Sequence, residues 1–444
     1  MPGPSGLRRR LPRALHGRDF SLYVVASLTL TLAEQMLAVA VGWQVYSVHH
    51  RAFDLGLIGL LEFAPVFLLA LPAGALVDRI SRRLVLAAST GVLAAIAALL
   101  IVVSANGARA LWPFLLLAVG VGIATALSSP ATRAIAPALV PRELLPNALA
   151  IRSVVSQTGV VAGPAIGGLL FAIAPTVTYA TALALFCAAL VAVLLMRMPF
   201  LVDPGAREAA VPPGGPLRAL LGGIQFIRDT PVLLGAILLD LFAVLFGGAV
   251  ALLPVFAQSI LHTGPVGLGV LRSAPAVGAV FAGALLVRGP LPTPAGPTLI
   301  GVVVAFGASM VVFGLSHWMV LSLAALAVSG AVDMVSMNIR TTTATLVTPD
   351  RVRGRVGAVE AVFIGASNEL GAFESGTAAA LLGAAPAVVA GGGLTILIAL
   401  AWTALFPALA TLGRLADLRP VSVDAGDRGL DDPRPPATRR GVPT

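Results

Sequence analysis

The sequence contains no lysine; all 29 of its basic residues are arginine. It has one cysteine, Cys187, and only 11% charged residues, against about 25% in soluble chains. A lone cysteine excludes an intrachain disulfide and any chemistry that needs a cysteine pair. Without lysine no phosphate loop of the G-x-x-x-x-G-K-[ST] type can be written, which excludes ATP-driven work through such a loop. Four of the five histidines (His49, His50, His262 and His317) fall between apolar runs as loop residues, so no metal site is expected. No nucleophile–base pair stands outside the apolar segments, and an enzyme is not expected.

What remains is apolar: 58% of 444 residues, with mean hydropathy +0.96. Runs of about 18 residues or more recur along the chain, as membrane-spanning helices require. The net charge of +9 comes from arginines scattered between these runs, without the compact basic domain that nucleic-acid binding would need. The expectation is an all-α membrane protein with twelve spans, near 21–48, 55–77, 84–105, 111–135, 147–172, 178–197, 231–258, 266–287, 297–316, 319–345, 356–382 and 388–411. These fall into two six-helix halves, 21–197 and 231–411. A basic tail (1–20) precedes them, and a Pro/Asp/Arg-rich tail (412–444) expected to be disordered follows. The first apolar run is too long for a cleaved signal segment and is read as a span. The interval 198–230 has linker composition (PPGGP at 212–216) and ends in LRALLGGIQFIRD, an amphipathic helix expected on the membrane surface.

Arginines concentrate on alternate loops, which by the positive-inside rule puts both termini in the cytoplasm. The opposite side holds only Arg51 and Arg109. The halves also repeat. GALVDR at 74–79 returns as GALLVR at 283–288, 209 residues later, and Gly163 and Gly168 correspond to Gly371 and Gly376. A parallel repeat of two six-span halves places a substrate site near the midplane between them.

The stretch GALVDRISRR, with Gly74, Asp78, Arg79, Arg82 and Arg83, resembles the signature loop between spans two and three of the major facilitator superfamily. The resemblance implies a cytoplasmic latch in which Asp78 and Arg82 face the start of span eleven near Arg355 and Gly357. In the second copy Val287 replaces the aspartate. GVVAGPAIGG, with Gly159, Gly163, Pro164, Gly167 and Gly168, resembles the span-five motif of drug–proton antiporters, which goes with export. Its small residues present a face that admits another helix closely. LAVAVGWQVYSV (37–48), LLDLFAVLFGGAVALLPVFA (238–257), TPDRVRGRVGAV (348–359) and GASNELGAFESG (365–376) are similar to a bacterial exporter branch. That branch includes enterobactin (siderophore) exporters and macrolide and tetracycline efflux proteins.

A charge at the bilayer centre costs about 2.5–3.5 kcal/mol on insertion scales. Each buried charge therefore needs a partner, water or a proton. The candidates are Glu34, Glu62, Arg152, Asp240, Arg272, Asp333, Glu360, Glu369 and Glu374. The resemblance implies a cavity lined by spans one, four, seven and ten, hence Glu34, Asp240 and Asp333 on the proton or substrate path. Glu34, about fourteen residues or roughly 20 Å into its span, is the first choice for a proton or cationic-substrate site, with Gln35 a polar contact beside it. A purely structural pairing of Glu34 with Arg272 is the alternative. Asp240 has Arg340 as a possible partner, and Glu369 has Arg152. Glu374, about 140° round the helix from Glu369, is expected to make local hydrogen bonds.

The expected function is secondary active export of small amphipathic molecules, drugs or a siderophore, by proton antiport and alternating access. It would act in a bacterial cytoplasmic (inner) membrane, as a monomer in the lipid bilayer, with protons as coupling partner and no cofactor. The rivals are an importer or lipid flippase of the same fold, and a non-transporting membrane sensor or scaffold.

Overall fold

The computed structural model describes residues 13–107, 110–197, 215–289 and 293–420. Twelve long helical segments follow one another. The first half holds α1 (Arg18–His49), α2 (Ala52–Arg79), α3 (Arg82–Ala105), α4 (Trp112–Ala138), α5 (Leu145–Ile173) and α6 (Pro175–Leu195). The second holds α7 (Pro231–Gly247), α8 (Gly264–Arg288), α9 (Ala295–Leu315), α10 (Met319–Val347), α11 (Asp350–Leu382) and α12 (Ala384–Leu405). Among the described residues eleven of these segments, α7 counted with its continuation to Ile260, are long and apolar enough to cross a membrane. The remaining one, α11, has 33 residues but carries the acids of the GASNELGAFESG stretch. Its polarity fits its place, packed between α2 of one half and α7 of the other.

Several boundaries differ from expectation for local reasons. α12 stops at Leu405 rather than near 411, because Pro407 cannot continue the helix and constrains the residue before it. The chain then turns back. The carbonyls of Gly413 and Leu412 accept from the backbone N–H groups of Ala295 and Gly296 at 2.7 and 2.9 Å, satisfying donors that the start of α9 leaves free. α11 begins at Asp350, one and a half turns early. The expected continuous span seven is broken: Gly248 is extended, and a 3-10 turn (Val250–Leu252) and a π turn (Phe256–Ile260) follow. The adjacent glycines and Pro254 weaken the helix there.

Twelve crossings return the chain to the face it started from, called here the terminal face; the opposite one is the distal face. The buried core is organised by face. At the distal face one cluster joins both halves, from Tyr46, Leu93, Phe114, Phe171 and Tyr179 to Phe256, Leu271, Phe313 and Val388. At the terminal face the cores are separate. Phe20, Tyr23, Ile135 and Val193 belong to the first half alone, and Leu239, Leu299, Ile339 and Trp402 to the second. Among the described residues no buried cluster at the terminal face draws on both halves.

The glycine repeats explain how the halves meet. A Cβ on Gly163 would lie 2.6 Å from Gln35 Cβ of α1, and one on Gly371 would lie 3.0 Å from the carbonyls of Val244 and Leu245 of α7. These two glycines therefore seat their helix on the first helix of their own half. Gly168 and Gly376 reach across: their Cβ positions fall 2.4 Å from the Pro265 carbonyl on α8 and 2.8 Å from Gly56 Cα on α2. The same motif, twice, holds one helix to its own half and one to the other.

The linker helix (Gly215–Arg228) docks Ile227, Leu220 and Phe226 against Ile237, Val356 and Val359, leaving Leu221 and Ile224 exposed. Its inner face is thus spent on protein, and only the outer face is open to a membrane surface. Residues 1–12, 198–214 and 421–444, which include most of both expected tails, lie outside the described residues.

Gly168→Leu is expected to lower the thermal midpoint of the purified protein, because overpacking costs about 1–3 kcal/mol or more and here meets backbone. Gly301→Ala, where nothing lies within 4 Å of the new Cβ, should leave the midpoint unchanged in the same melting experiment.

Candidate functional site

The GWQVY stretch of α1 knits the distal closure. Gly42 lets Pro254 approach, with a Cβ position 3.2 Å from its ring. The Trp43 carbonyl accepts from Gln258 Nε2 at 3.1 Å, and Tyr46 Oη lies 2.8 Å from Ser259 Oγ. All three partners stand on the broken continuation of α7. Gln44 turns the other way: its side chain accepts from Tyr179 Oη at 2.6 Å and donates to Ser104 Oγ at 3.0 Å, inside the first half.

Breaking α7 frees backbone carbonyls in a place without water, and these need partners. The Gly248 carbonyl finds one in Ser375 Oγ, which donates at 2.8 Å from α11. Ser375 was not among the expected site residues. Its signal in the sequence is its position one residue before the glycine that crosses to α2, opposite a Gly-Gly pair that cannot hold a helix.

Between the halves lies a cavity of about 530 Å³, within the usual range for small-molecule sites. Its walls come from α1, α2, α3 and α4 of the first half. The second half contributes the broken part of α7 (Val250, Ala251, Pro254), Arg272 of α8 and the middle of α11. Most of the surface is aliphatic, with Phe114 its aromatic member. Four charged groups line it: Glu34, Glu62, Arg272 and Glu369. Arg272 lies within electrostatic reach of Glu62 and Glu369, at more than direct ion-pair distance. Glu34 makes no hydrogen bond or ion pair among the described residues. Gln35 and Asn368 add amide groups to the lining.

Glu34, Gln35 and Glu369 line this cavity, and Arg272 joins them. Its neighbours are Glu62 and Glu369, not Glu34. Glu62, a buried-charge candidate not placed on the expected path, is a cavity acid, three residues along α2 from Gly59, whose Cβ position meets Ala372 at 3.0 Å. Arg152 does not line the cavity and forms no ion pair among the described residues, so the partner expected for Glu369 is replaced by Arg272. Glu374 is a local group, 3.5 Å from Ser375 Oγ.

Asp240 and Asp333 are not cavity residues. Asp240 is held by Arg340 at 2.6 Å, both largely buried within the second half, and Arg340 Nε also donates to Ser336 Oγ at 3.3 Å. Glu360 joins Asp240 and Arg340 around a void of only about 10 Å³. Asp333 is exposed on α10, with Arg340 the cation that acts on it. α10, expected in the cavity wall, is replaced there by α2, α8 and α11.

Of the GALVDRISRR motif, the side chains of Gly74, Asp78 and Arg79 lie outside the described residues. Arg82 is exposed. Arg83 is buried and caps α6: its Nε donates to the Val193 carbonyl at 3.0 Å, and its Nη2 donates to the Leu194 carbonyl. A cation at a helix C-terminus is favoured by the dipole and by the free carbonyls there. At the start of α11 the linker helix occupies the ground, with the Cβ position of Gly223 2.8 Å from the Arg355 carbonyl. Nothing lies within 4 Å of a Cβ at Gly357.

The family model for transmembrane secretion effectors matches residues 14–417. The chain belongs to this family of the major facilitator superfamily. It is 28% identical over 324 residues to the enterobactin exporter of Shigella dysenteriae serotype 1 (strain Sd197), covering 72% of this chain and 76% of that protein. The Escherichia coli O139:H28 enterobactin exporter matches with the same identity and coverage. Among solved structures, the nucleoside transporter NupG superposes with a TM-score of 0.65 at 14% identity, covering 87% of this chain and 99% of that one. A bacterial homologue of the human lysosomal transporter Spinster, inward-facing and occupied, superposes with a TM-score of 0.68 at 15% identity, over 90% and 98% of the two chains. These structures share the fold: a multi-pass major facilitator transporter of two six-helix halves.

Removing one partner of a buried ion pair costs about 3–5 kcal/mol, because the other charge stays behind. Asp240→Asn alone should therefore destabilise the protein by about that amount. Adding Arg340→Met to it should recover most of the loss in thermal unfolding.

Proposed function

We propose that this transporter is a proton-coupled exporter of small amphipathic molecules. The observation that carries this reading is an apolar cavity between two halves, joined at the distal face and separate at the terminal face, with an unpaired carboxyl, Glu34, in its wall. The arginine-rich loops support a cytoplasmic terminal face, and on that reading the cavity is loaded from inside the cell. The 28% identity to enterobactin exporters supports the outward direction, and the export-type glycine motif agrees with it.

Coupling follows from competition. Glu34 carries either a proton or a negative charge that attracts substrate, and it does not serve both at once. Protons entering from outside displace substrate when the halves rock and the distal closure opens. The membrane potential contributes about 2.3 kcal/mol per charge per 100 mV, and no nucleotide is consumed. The protein works as a monomer in a bacterial cytoplasmic membrane, with Asp240, Arg340, Asp333 and Glu360 a second charged cluster that changes as the second half moves.

Everted membrane vesicles energised by respiration test this with a panel of dyes, antibiotics and siderophores. At least one compound should accumulate in the vesicles, an uncoupler should collapse that accumulation, and Glu34→Gln should abolish the uncoupler-sensitive part. Uptake in right-side-out vesicles without export points instead to an importer. Accumulation indifferent to the uncoupler overturns proton coupling.

A further inference from the structure

The turn between α1 and α2 lies within the distal closure and holds a histidine and a buried acid that the transport reading does not use. His49 is the last residue of α1, and Asp54 stands in the first turn of α2. Their side chains are 21% and 8% exposed, and His49 Nδ1 lies 4.0 Å from Asp54 Oδ2, too far for a hydrogen bond. His49 Nδ1 is buried without a hydrogen-bond partner, and the Asp54 carboxyl has no other partner among the described residues. Without a proton the pair leaves both groups unmatched, in a place that penalises unmatched polar atoms. One proton on Nδ1 changes that. After a small side-chain shift the imidazolium donates to the carboxylate in a charge-assisted hydrogen bond. Both helix ends favour the arrangement, since it puts a cation at the C-terminus of α1 and an anion at the N-terminus of α2.

Contacts between the halves flank this turn on both sides. Before it, the Tyr46 ring packs edge-on against His50 at 5.7 Å, and its hydroxyl meets Ser259 of broken α7. After it, Phe53 packs edge-on against Phe373 of α11 at 6.0 Å, and the Cβ position of Gly376 falls 3.0 Å from the Ala52 carbonyl. The first half thus presents Tyr46 and Phe53 to the second half together, and the His49–Asp54 pair braces the two helix ends that carry them. The other titratable groups around the turn are His50 and Arg51 within it, His262 at the end of broken α7 and Glu374 on α11. None of them pairs with His49 or Asp54 among the described residues, and His262 is held to the Gln258 carbonyl at 2.9 Å. The distal ends of α3, α4, α5, α6 and α8 bring no charged side chain among the described residues.

We infer that His49 and Asp54 form a proton-binding site at the distal face, separate from the cavity, whose occupancy clamps the α1–α2 turn in the form the distal closure requires. The proton acts as a ligand. It binds the closed form more tightly than the open one and so shifts the equilibrium toward closure. The sign follows from the histidine: the clamp is present when His49 is charged. It is lost as the pH on the distal side rises through the range in which histidine gives up its proton, about pH 5 to 8. This rests on the reading that the distal closure opens, and needs neither proton coupling at Glu34 nor a direction of transport.

Spin labels at Ile173 of α5 and at Trp318 between α9 and α10, both exposed, stand at the distal ends of the two halves and provide the test in a Cys187→Ser background. Their distance distribution is measured in the purified full-length protein, without substrate or gradient, at about pH 5 and about pH 8. The ratio of the short, closed population to the long one should be about tenfold higher at the acid pH, the weight of one charge-assisted hydrogen bond. His49→Gln and Asp54→Asn should each remove most of this pH dependence, although every cavity acid remains in place. A wild-type distribution indifferent to pH overturns the inference. So does a pH dependence that survives either substitution. Should one variant fail to fold, the other decides together with the wild type. Proton-driven accumulation in vesicles is a separate measurement, so its failure leaves this result standing, and the failure of the clamp leaves export open.

Discussion

The architecture depends on two places where backbones touch. Gly168 of α5 meets α8 at Pro265 and Gly269, and Gly376 of α11 meets α2 at Gly56. In a bilayer, helix association is driven by close packing, because lipid tails are as apolar as leucine. Small residues at these crossings bring the halves near enough for the distal core to form as one body. The Tyr46–Ser259 and Gln258–Trp43 hydrogen bonds then close the distal side on the broken end of α7. On the terminal side each half keeps its own core.

Charge is treated in two ways. Around Arg340, Asp240 is locked at 2.6 Å and Glu360 borders a void too small for a ligand. Around Arg272 the acids stand apart and line an open cavity. The first arrangement satisfies charges at the cost of their freedom. The second leaves charge unsatisfied, which in low dielectric is tolerable only where a proton, water or cationic ligand completes it. The broken seventh span serves the same site, since its irregular backbone forms part of the wall and its freed carbonyl is taken by Ser375.

Hydropathy made the twelve segments legible, and the glycine spacing made the repeat legible, because both are local properties of the chain. The structure adds that each glycine motif divides its labour between halves, which no spacing could reveal. Glu34 was singled out by its depth and the family resemblance, Glu369 by its depth and the repeated glycine motif, and both line the cavity. Asp240, nearer the start of its span, is sealed by Arg340, and Asp333, near mid-depth, is not in the cavity lining; depth along a helix says nothing of the direction a side chain faces. Arg83 looked like part of a positive loop and is a helix cap, because its partner carbonyls at 193 and 194 are 110 residues away in sequence. The break at Gly248 was written in the Gly-Gly pair, but hydropathy averages across it.

The central claim is that the halves rock against each other, the terminal side closing as the distal closure opens. It is tested most directly by one distance across the terminal face. Spin labels at Leu149 of α5 and Val287 of α8, both exposed, are placed in a Cys187→Ser background and reconstituted in liposomes. The distance distribution between them is measured with and without an imposed pH gradient. The account predicts a long distance at rest and a second, shorter population that grows with the gradient. A single distance that no gradient moves would contradict it.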